Sequence, residues 1–101
     1  MGISLKLIKD NTACLSGSMT FDSLCKIAQV GYGMIDQHTY LVIDCLNIQN
    51  SNSSFIALVV GWKKHANAKH HKLDLVNVPE NLCDIANLYG LDHLFNTNTT
   101  Q

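Results

Sequence analysis

Between Tyr40 and Lys69 the hydrophobic period changes with no long loop between the two regimes. The segment opens with YLVIDC, a short β-branched apolar run, passes through the polar cluster LNIQNSNSS, and continues as FIALVVGWKKHANAK. The first run predicts a buried strand and the cluster a tight polar turn. The last run, apolar and ending in Lys, His and Asn, predicts a helix. A strand feeding a helix so directly leaves the first helical N–H groups pointing outward without partners. A functional surface, if encoded in one place, is expected at this turn.

The flanking sequence supplies the partners such a unit needs. Ile3 to Ile8 alternates, with Ile3, Leu5 and Leu7 on one side, and Asp10 and Asn11 supply a turn. Thr12 to Met19 alternates again through Ala13, Leu15, Gly17 and Met19, so the chain opens with a hairpin whose second strand Gly17 and Ser18 weaken. Thr20 or Asp22 caps a helix carrying Phe21, Leu24, Cys25, Ile27 and Ala28 at helical spacing, with Gly31 and Gly33 leaving its end open between Tyr32 and Ile35. In the strand from Tyr40 to Cys45, Leu41, Val42 and Ile43 do not alternate, which predicts a central strand covered on both faces. Lys72 to Val76 is a further strand. After the turn at Asn77 to Pro79, a helix from Pro79 to Tyr89 buries Leu82, Ile85, Ala86 and Leu88 and stops at Gly90. Leu91, Leu94 and Phe95 close the core in a last short strand or turn, giving one domain over 1–95 and a polar tail over 96–101 that is expected to fray. Strand-helix alternation in the second half implies parallel pairing, so the fold class is α/β with a mixed sheet.

With 101 residues, 47% of them hydrophobic and 15% charged, the chain has the composition of one ordinary globular domain. A formal net charge of -1 and the absence of any Arg remove the electrostatic footprint of a nucleic-acid binder. No apolar run approaches the roughly 20 residues that cross a bilayer, and MGISLKLIKD is not a signal-peptide core, so a cytoplasmic location is expected. Cys14, Cys25, Cys45 and Cys83 are spread singly through apolar segments and read as small buried hydrophobes. Neither a nucleophile-base pair nor a phosphate-binding glycine loop is legible, and no catalytic role is expected. His65, His70 and His71 crowd the end of the long helix, but no Cys or carboxylate stands at a zinc-ligand spacing, so neither a metal nor another cofactor is expected.

On a wheel of 3.6 residues per turn, Phe55, Leu58, Val59, Trp62 and Ala66 cluster on one side of this helix, Ile56 and Val60 lie on the next, and Lys63, Lys64 and Asn67 mark the wet side. A sheet covers one such stripe, so a second exposed stripe implies a partner. The alternative is that Phe55, Val59 and Trp62 are core, with Ile56 and Val60 on its flank. Ser53, at the start, fits an N-cap or first-turn residue worth ~1 kcal/mol.

Val42 to Asp44 followed by NSNSSFIALVVGW resembles the signature segment of STAS domains, in which a hydrophobic strand ending in Asp leads to Asp-Ser/Thr-x-Gly and an apolar helix. The similarity continues through Lys72 to Val78 and PENLCDIANLYGLDHLF and so covers nearly the whole chain. Asn52 stands where the family usually has Asp, Ser53 falls on its Ser or Thr, and Phe55 replaces its Gly. The resemblance implies a mixed sheet of four to five strands with an N-terminal antiparallel hairpin and helices packed mainly on one face. Within the family the chain looks most like the MlaB type. These are small subunits that bind the ATPase (MlaF-like) of an ABC phospholipid transporter on the cytoplasmic side of the inner membrane and help to maintain outer-membrane lipid asymmetry.

On that reading Asn52, Ser53, Ser54, Phe55, Leu58, Trp62 and His65 form the partner-binding surface. Ile56, Val59 and Val60 then point inward and Trp62 points out, and the isolated chain is expected to pair through the same exposed helix. In anti-sigma-factor antagonists, also STAS proteins, the Ser at this place is phosphorylated by a partner kinase, which makes Ser53 a candidate phosphosite. Some STAS domains are credited with binding nucleotides or lipids, which leaves a small-ligand module as a third reading.

Overall fold

The computed structural model describes residues 3–18, 20–49, 53–88 and 90. The order is β1 (Ile3–Leu7), β2 (Thr12–Ser18), α1 (Phe21–Gln37), β3 (Tyr40–Gln49), α2 (Ser53–Ala68), β4 (Lys72–Val76) and α3 (Glu80–Leu88). The expected last strand or turn through Leu91, Leu94 and Phe95, the tail over 96–101, and Asn52 lie outside the described residues.

One sheet of order β1-β2-β3-β4 carries the fold. β1 and β2 pair antiparallel with Leu5 opposite Leu15, and the turn between them is held by the Ile8 and Lys9 N–H groups donating to the Thr12 carbonyl at 2.8 and 3.2 Å. β2, β3 and β4 run parallel, joined by α1 and α2. Both crossovers step the same way along the sheet, and right-handed connections then place both helices on one face. Burial follows that rule. Leu5, Ala13, Leu15, Leu41, Ile43, Cys45, Leu73 and Leu75 are buried beneath the helices, whereas Val42 and Asp44, which alternate with them, are only half-buried. β3 is therefore not covered on both faces. Its unbroken apolar run reflects a central position between two parallel neighbours, with helices on one side.

β3 also runs four residues further than expected, through LNIQ to Gln49. Pairing with β2 shifts by one residue between Cys14↔Asp44 and Ser16↔Asn47, a bulge that adds a residue to β3. The shift exchanges the two faces. Leu46 turns out to 66% exposure, and Ile48 packs against the core.

α1 starts at Thr20, whose Oγ1 accepts from the Ser23 N–H at 3.2 Å while the Ser23 hydroxyl accepts from the Thr20 N–H at 3.2 Å, a reciprocal capping pair. It continues through both glycines to Gln37. Gly31 is required there, because a Cβ on it would stand 2.2 Å from Trp62 Cε2. α1 and α2 approach each other at that point. The C-terminal end of α1 is closed by two imidazoles: His38 Nδ1 lies 2.9 Å from the Met34 carbonyl and His71 Nδ1 lies 2.8 Å from the Ile35 carbonyl. Since a carbonyl only accepts, both rings donate from Nδ1–H.

α2 ends in a left-handed residue, His70 at φ 60°, with the His71 N–H reaching back to the Ala66 carbonyl at 2.9 Å. α3 begins at Glu80, one residue after the expected Pro79, and Gly90 takes φ 71° beyond its end. Of its expected core residues, Leu82 and Ala86 are buried, Ile85 is partly buried and Leu88 is 83% exposed. The cysteines are all free, but only Cys45 is buried: Cys14 and Cys83 are half-buried, and Cys25 is exposed on α1.

Candidate docking surface at the β3–α2 junction

α2 lies on β4 between α1 and α3 and is enclosed on three sides. Ile56 and Val59 point inward as expected, but Phe55, Leu58 and Trp62, expected to face out, are buried with them. Phe55 and Trp62 are 0% exposed and Leu58 4%, in one core with Ile56, Val59 and Ala66, while Val60, expected inward, is only half-buried. Trp62 faces α1, with its Nε1–H donating to the Ala28 carbonyl at 3.2 Å. A wheel that looks apolar almost all round needs no partner when two helices and a sheet share it. The reading of Phe55, Val59 and Trp62 as core is the correct one.

His65 is half-buried and held against α1. Its ring packs against Tyr32 at a tilt of 38° with 4.8 Å between centroids, and Nε2 lies 2.8 Å from Asp36 Oδ1, which Lys69 Nζ approaches at 3.4 Å. The hydrogen bond from His65, helped by Lys69, holds the Asp36 carboxyl below its usual range. This polar seam fastens the C-terminal halves of α1 and α2. Lys63, expected on the wet side, folds over β4 and donates to the Leu73 carbonyl at 2.7 Å, and burial lowers its ammonium pKa.

What remains on the outside of α2 is a narrow strip. Ser53 opens the helix and is exposed, Ala57 and Lys64 are exposed, and Val60 and Gly61 are half-buried between them. Ser54 is half-buried beside Ser53. Of the expected surface, the structure thus leaves Ser53 exposed and Ser54 and His65 half-buried, and takes Phe55, Leu58 and Trp62 inward. Ala57, Val60 and Gly61 were not singled out as contact residues by the sequence. Their signal was a set of short side chains between the bulky ones, at the spacing of one helix face.

Beneath the junction, the Asp44 carboxylate at the bend of β3 accepts from the Leu46 N–H and from Asn77 Nδ2, both at 3.0 Å. Asp44 is thus engaged in holding the bend to the residue after β4. On the uncovered face of the sheet the Tyr40 hydroxyl donates to Asp74 Oδ2 at 2.9 Å, which raises the Tyr40 pKa, and Lys72 Nζ lies 5.4 Å from the Tyr40 ring centre. Burial pushes the Cys45 thiol up to about 12 and raises that of Cys83, so neither supplies a thiolate near neutral pH. Among the described residues no three His, Cys, Asp or Glu side chains stand together as a metal site, and no helix is long and apolar enough to cross a membrane.

Solved structures similar to this one in fold include the anti-sigma factor antagonist SpoIIAA in its unphosphorylated form, with a TM-score of 0.71 and 18% identity over 92% of this chain and 84% of that one. The Bacillus cell fate determinant SpoIIAA in the phosphorylated form matches with a TM-score of 0.69, again at 18% identity, over 92% of this chain and 87% of that one. At that identity the likeness concerns the fold. A comparison with curated proteins gave no match. The family model described as "Mlab, STAS domain" matches residues 10–96, which take in every element from β2 through α3, and the chain therefore belongs to the STAS domain family, in its MlaB-type branch.

Proposed function

We propose that the chain is a non-enzymatic STAS subunit that docks on the ATPase of an ABC phospholipid transporter and supports its assembly or activity. ATP hydrolysis and lipid movement then belong to the partners, and the chain sits at the cytoplasmic side of the inner membrane through them. The observation that carries this reading is the outer strip of α2 in an MlaB-type domain: Ser53, Ala57, Val60 and Gly61 present short side chains along one helix face, with the exposed Lys64 beyond them. A partner element can approach such a ridge closely, because little side-chain entropy is lost when short residues are covered.

The test is co-expression with the nucleotide-binding subunit of such a transporter. The wild-type chain is expected to co-purify, and Ala57→Arg is expected to weaken the complex at least about tenfold, since a long charged side chain in a close contact costs more than ~1.4 kcal/mol. Ala57 is exposed, so the Tm of the isolated chain should not move. Failure of the wild-type chain to bind any such subunit refutes the proposal.

A second reading is favoured by the exposure of Ser53 as the first residue of α2. There a phosphate is stabilised by the helix N-terminus and alters any surface docked on that turn, as in a phosphorylation-switched antagonist of an anti-sigma factor. Phosphate on Ser53 by mass spectrometry, with partner binding lost in Ser53→Asp, would establish it. An unmodified Ser53 together with unchanged binding by Ser53→Asp excludes it.

A further inference from the structure

Among the described residues, β1 pairs with β2 alone, so its outer side ends the sheet. Such edges are normally blunted by charge or covered. Lys6 stands in this one, but Leu7 and Ile8 just beyond it are 45% and 55% exposed. Between β1 and α1 runs an open groove of about 420 Å³, with Ile3, Leu5, Ile27 and Val30 as its apolar wall and Asp22 and Lys26 also lining it. Val30 is 44% exposed there. Asp22 and Lys26 lie one helical turn apart with opposite charges, and the ion pairs among the described residues are made by Asp36 instead.

We propose that this edge is a docking site for the same edge of a second copy, β1 against β1, antiparallel about a two-fold axis at Leu5. Side-chain alternation and charge select that centre. Centred on Leu5, Ile3 faces Leu7 of the other copy on the helix-bearing side, and Ser4 faces Lys6 on the open side. Centring on Lys6 would oppose two ammonium groups, and a centre between residues would turn one sheet over. With the Leu5 centre, the exposed Leu7 of each copy enters the groove of the other beside Ile3.

The helices agree with this arrangement. α1 runs antiparallel to β2 and so parallel to β1, which makes the two α1 helices antiparallel across the axis. Asp22 and Lys26 of one copy then meet Lys26 and Asp22 of the other. The contact is isologous, as a two-fold dimer requires. A net charge of -1 does not oppose it. A five-residue strand and one groove form a small interface, so the dimer is a weak one.

Sedimentation velocity on the full chain from micromolar to millimolar concentration tests the proposal. The wild type should move from monomer toward dimer as concentration rises. Leu7→Lys should weaken this at least about tenfold. Asp22→Lys should weaken it too, and the swap Asp22→Lys with Lys26→Asp should restore it. All three positions are exposed, so circular dichroism and Tm should show an intact fold. A monomer across the range overturns the proposal, as does a dimer indifferent to Leu7→Lys. A dimer lost in Ala57→Arg places the contact on α2 and also overturns it, and so does a monomer that captures an extended foreign peptide along β1.

Discussion

Gly31→Ala is the sharpest test of how α2 is seated. In an exposed helix the change is favourable by about 1 kcal/mol, because alanine loses less backbone entropy than glycine. At Gly31 the new methyl would stand 2.2 Å from Trp62 Cε2 and 2.4 Å from Cζ2, against an ordinary carbon contact of about 3.5–4.0 Å. The indole cannot swing away. It is 0% exposed among core residues, and its Nε1–H is spent on the Ala28 carbonyl. Overpacking of this kind costs typically 1–3 kcal/mol, and losing the indole hydrogen bond adds roughly 1 kcal/mol. Less the helix-propensity gain, the net is a destabilisation of roughly 1–3 kcal/mol, or a Tm lower by about 5–20 °C for a chain of this size. Gly33→Ala is the control, because a Cβ there meets nothing within 4 Å, and it should raise stability by about 0.5–1 kcal/mol. Urea unfolding of both variants decides the matter. If Gly31→Ala gains stability as Gly33→Ala does, Trp62 does not rest on Gly31, and its outward orientation has to be reinstated.

The remaining expectations are each tied to one contact. His70→Gly should stabilise by roughly 1 kcal/mol, read as a higher Tm, because the left-handed turn after α2 strains any residue with a Cβ. Tyr40→Phe should destabilise by about 1–3 kcal/mol, since it leaves the buried Asp74 carboxylate without its 2.9 Å donor. The His65 hydrogen bond holds the Asp36 carboxyl below the ordinary aspartate value of 3.8, so the pairing adds stability that is fully present above that pH and is lost as pH falls through the lower folded value. Asp36→Asn should therefore flatten the acid limb of a Tm–pH curve below about pH 4, leaving its shape above that window unchanged. A thiol reagent at neutral pH should label Cys25 first and Cys45 only on unfolding, because the latter is 0% exposed and its thiol is pushed up to about 12.

The architecture was legible because each local signal pointed the same way. Alternation in the opening hairpin, the cap at Thr20, the unbroken run at Leu41 to Ile43 and the glycine after α3 all fell where strands and helices begin or end. β3 escaped at its far end because the bulge moves Ile48 off the open face that it would share with Leu46 in a regular strand and onto the face of Leu41, Ile43 and Cys45. A period of two broken by one residue looks like a polar turn. The glycines of α1 left its end open for a similar reason. Gly31 is a packing device whose cause, the Trp62 ring, lies 31 residues away in sequence.

The orientation of α2 was the part that periodicity could not deliver. A wheel shows which residues are apolar and says nothing of how many neighbours share the helix. The prediction that one sheet covers one stripe holds for a helix at the border of a fold, whereas α2 is the middle helix of three on one face. Its middle position follows from topology: two crossovers in the same direction set α1 and α2 side by side, and the chain after β4 returns α3 to α2's other flank. Phe55, Leu58 and Trp62 then fill the seams between helices. What a partner can reach is the ridge of small residues left over, where Ala57 is exposed and Gly61 is half-buried beside Tyr32, whose hydroxyl would stand 3.1 Å from a Cβ added there. On the proposed reading, the docking surface is the weakest hydrophobic signal on the most hydrophobic helix. That prediction separates the two orientations experimentally: Ala57→Arg should cost binding at constant stability, and Trp62→Ala should cost roughly 3–5 kcal/mol of stability whether or not a partner is present.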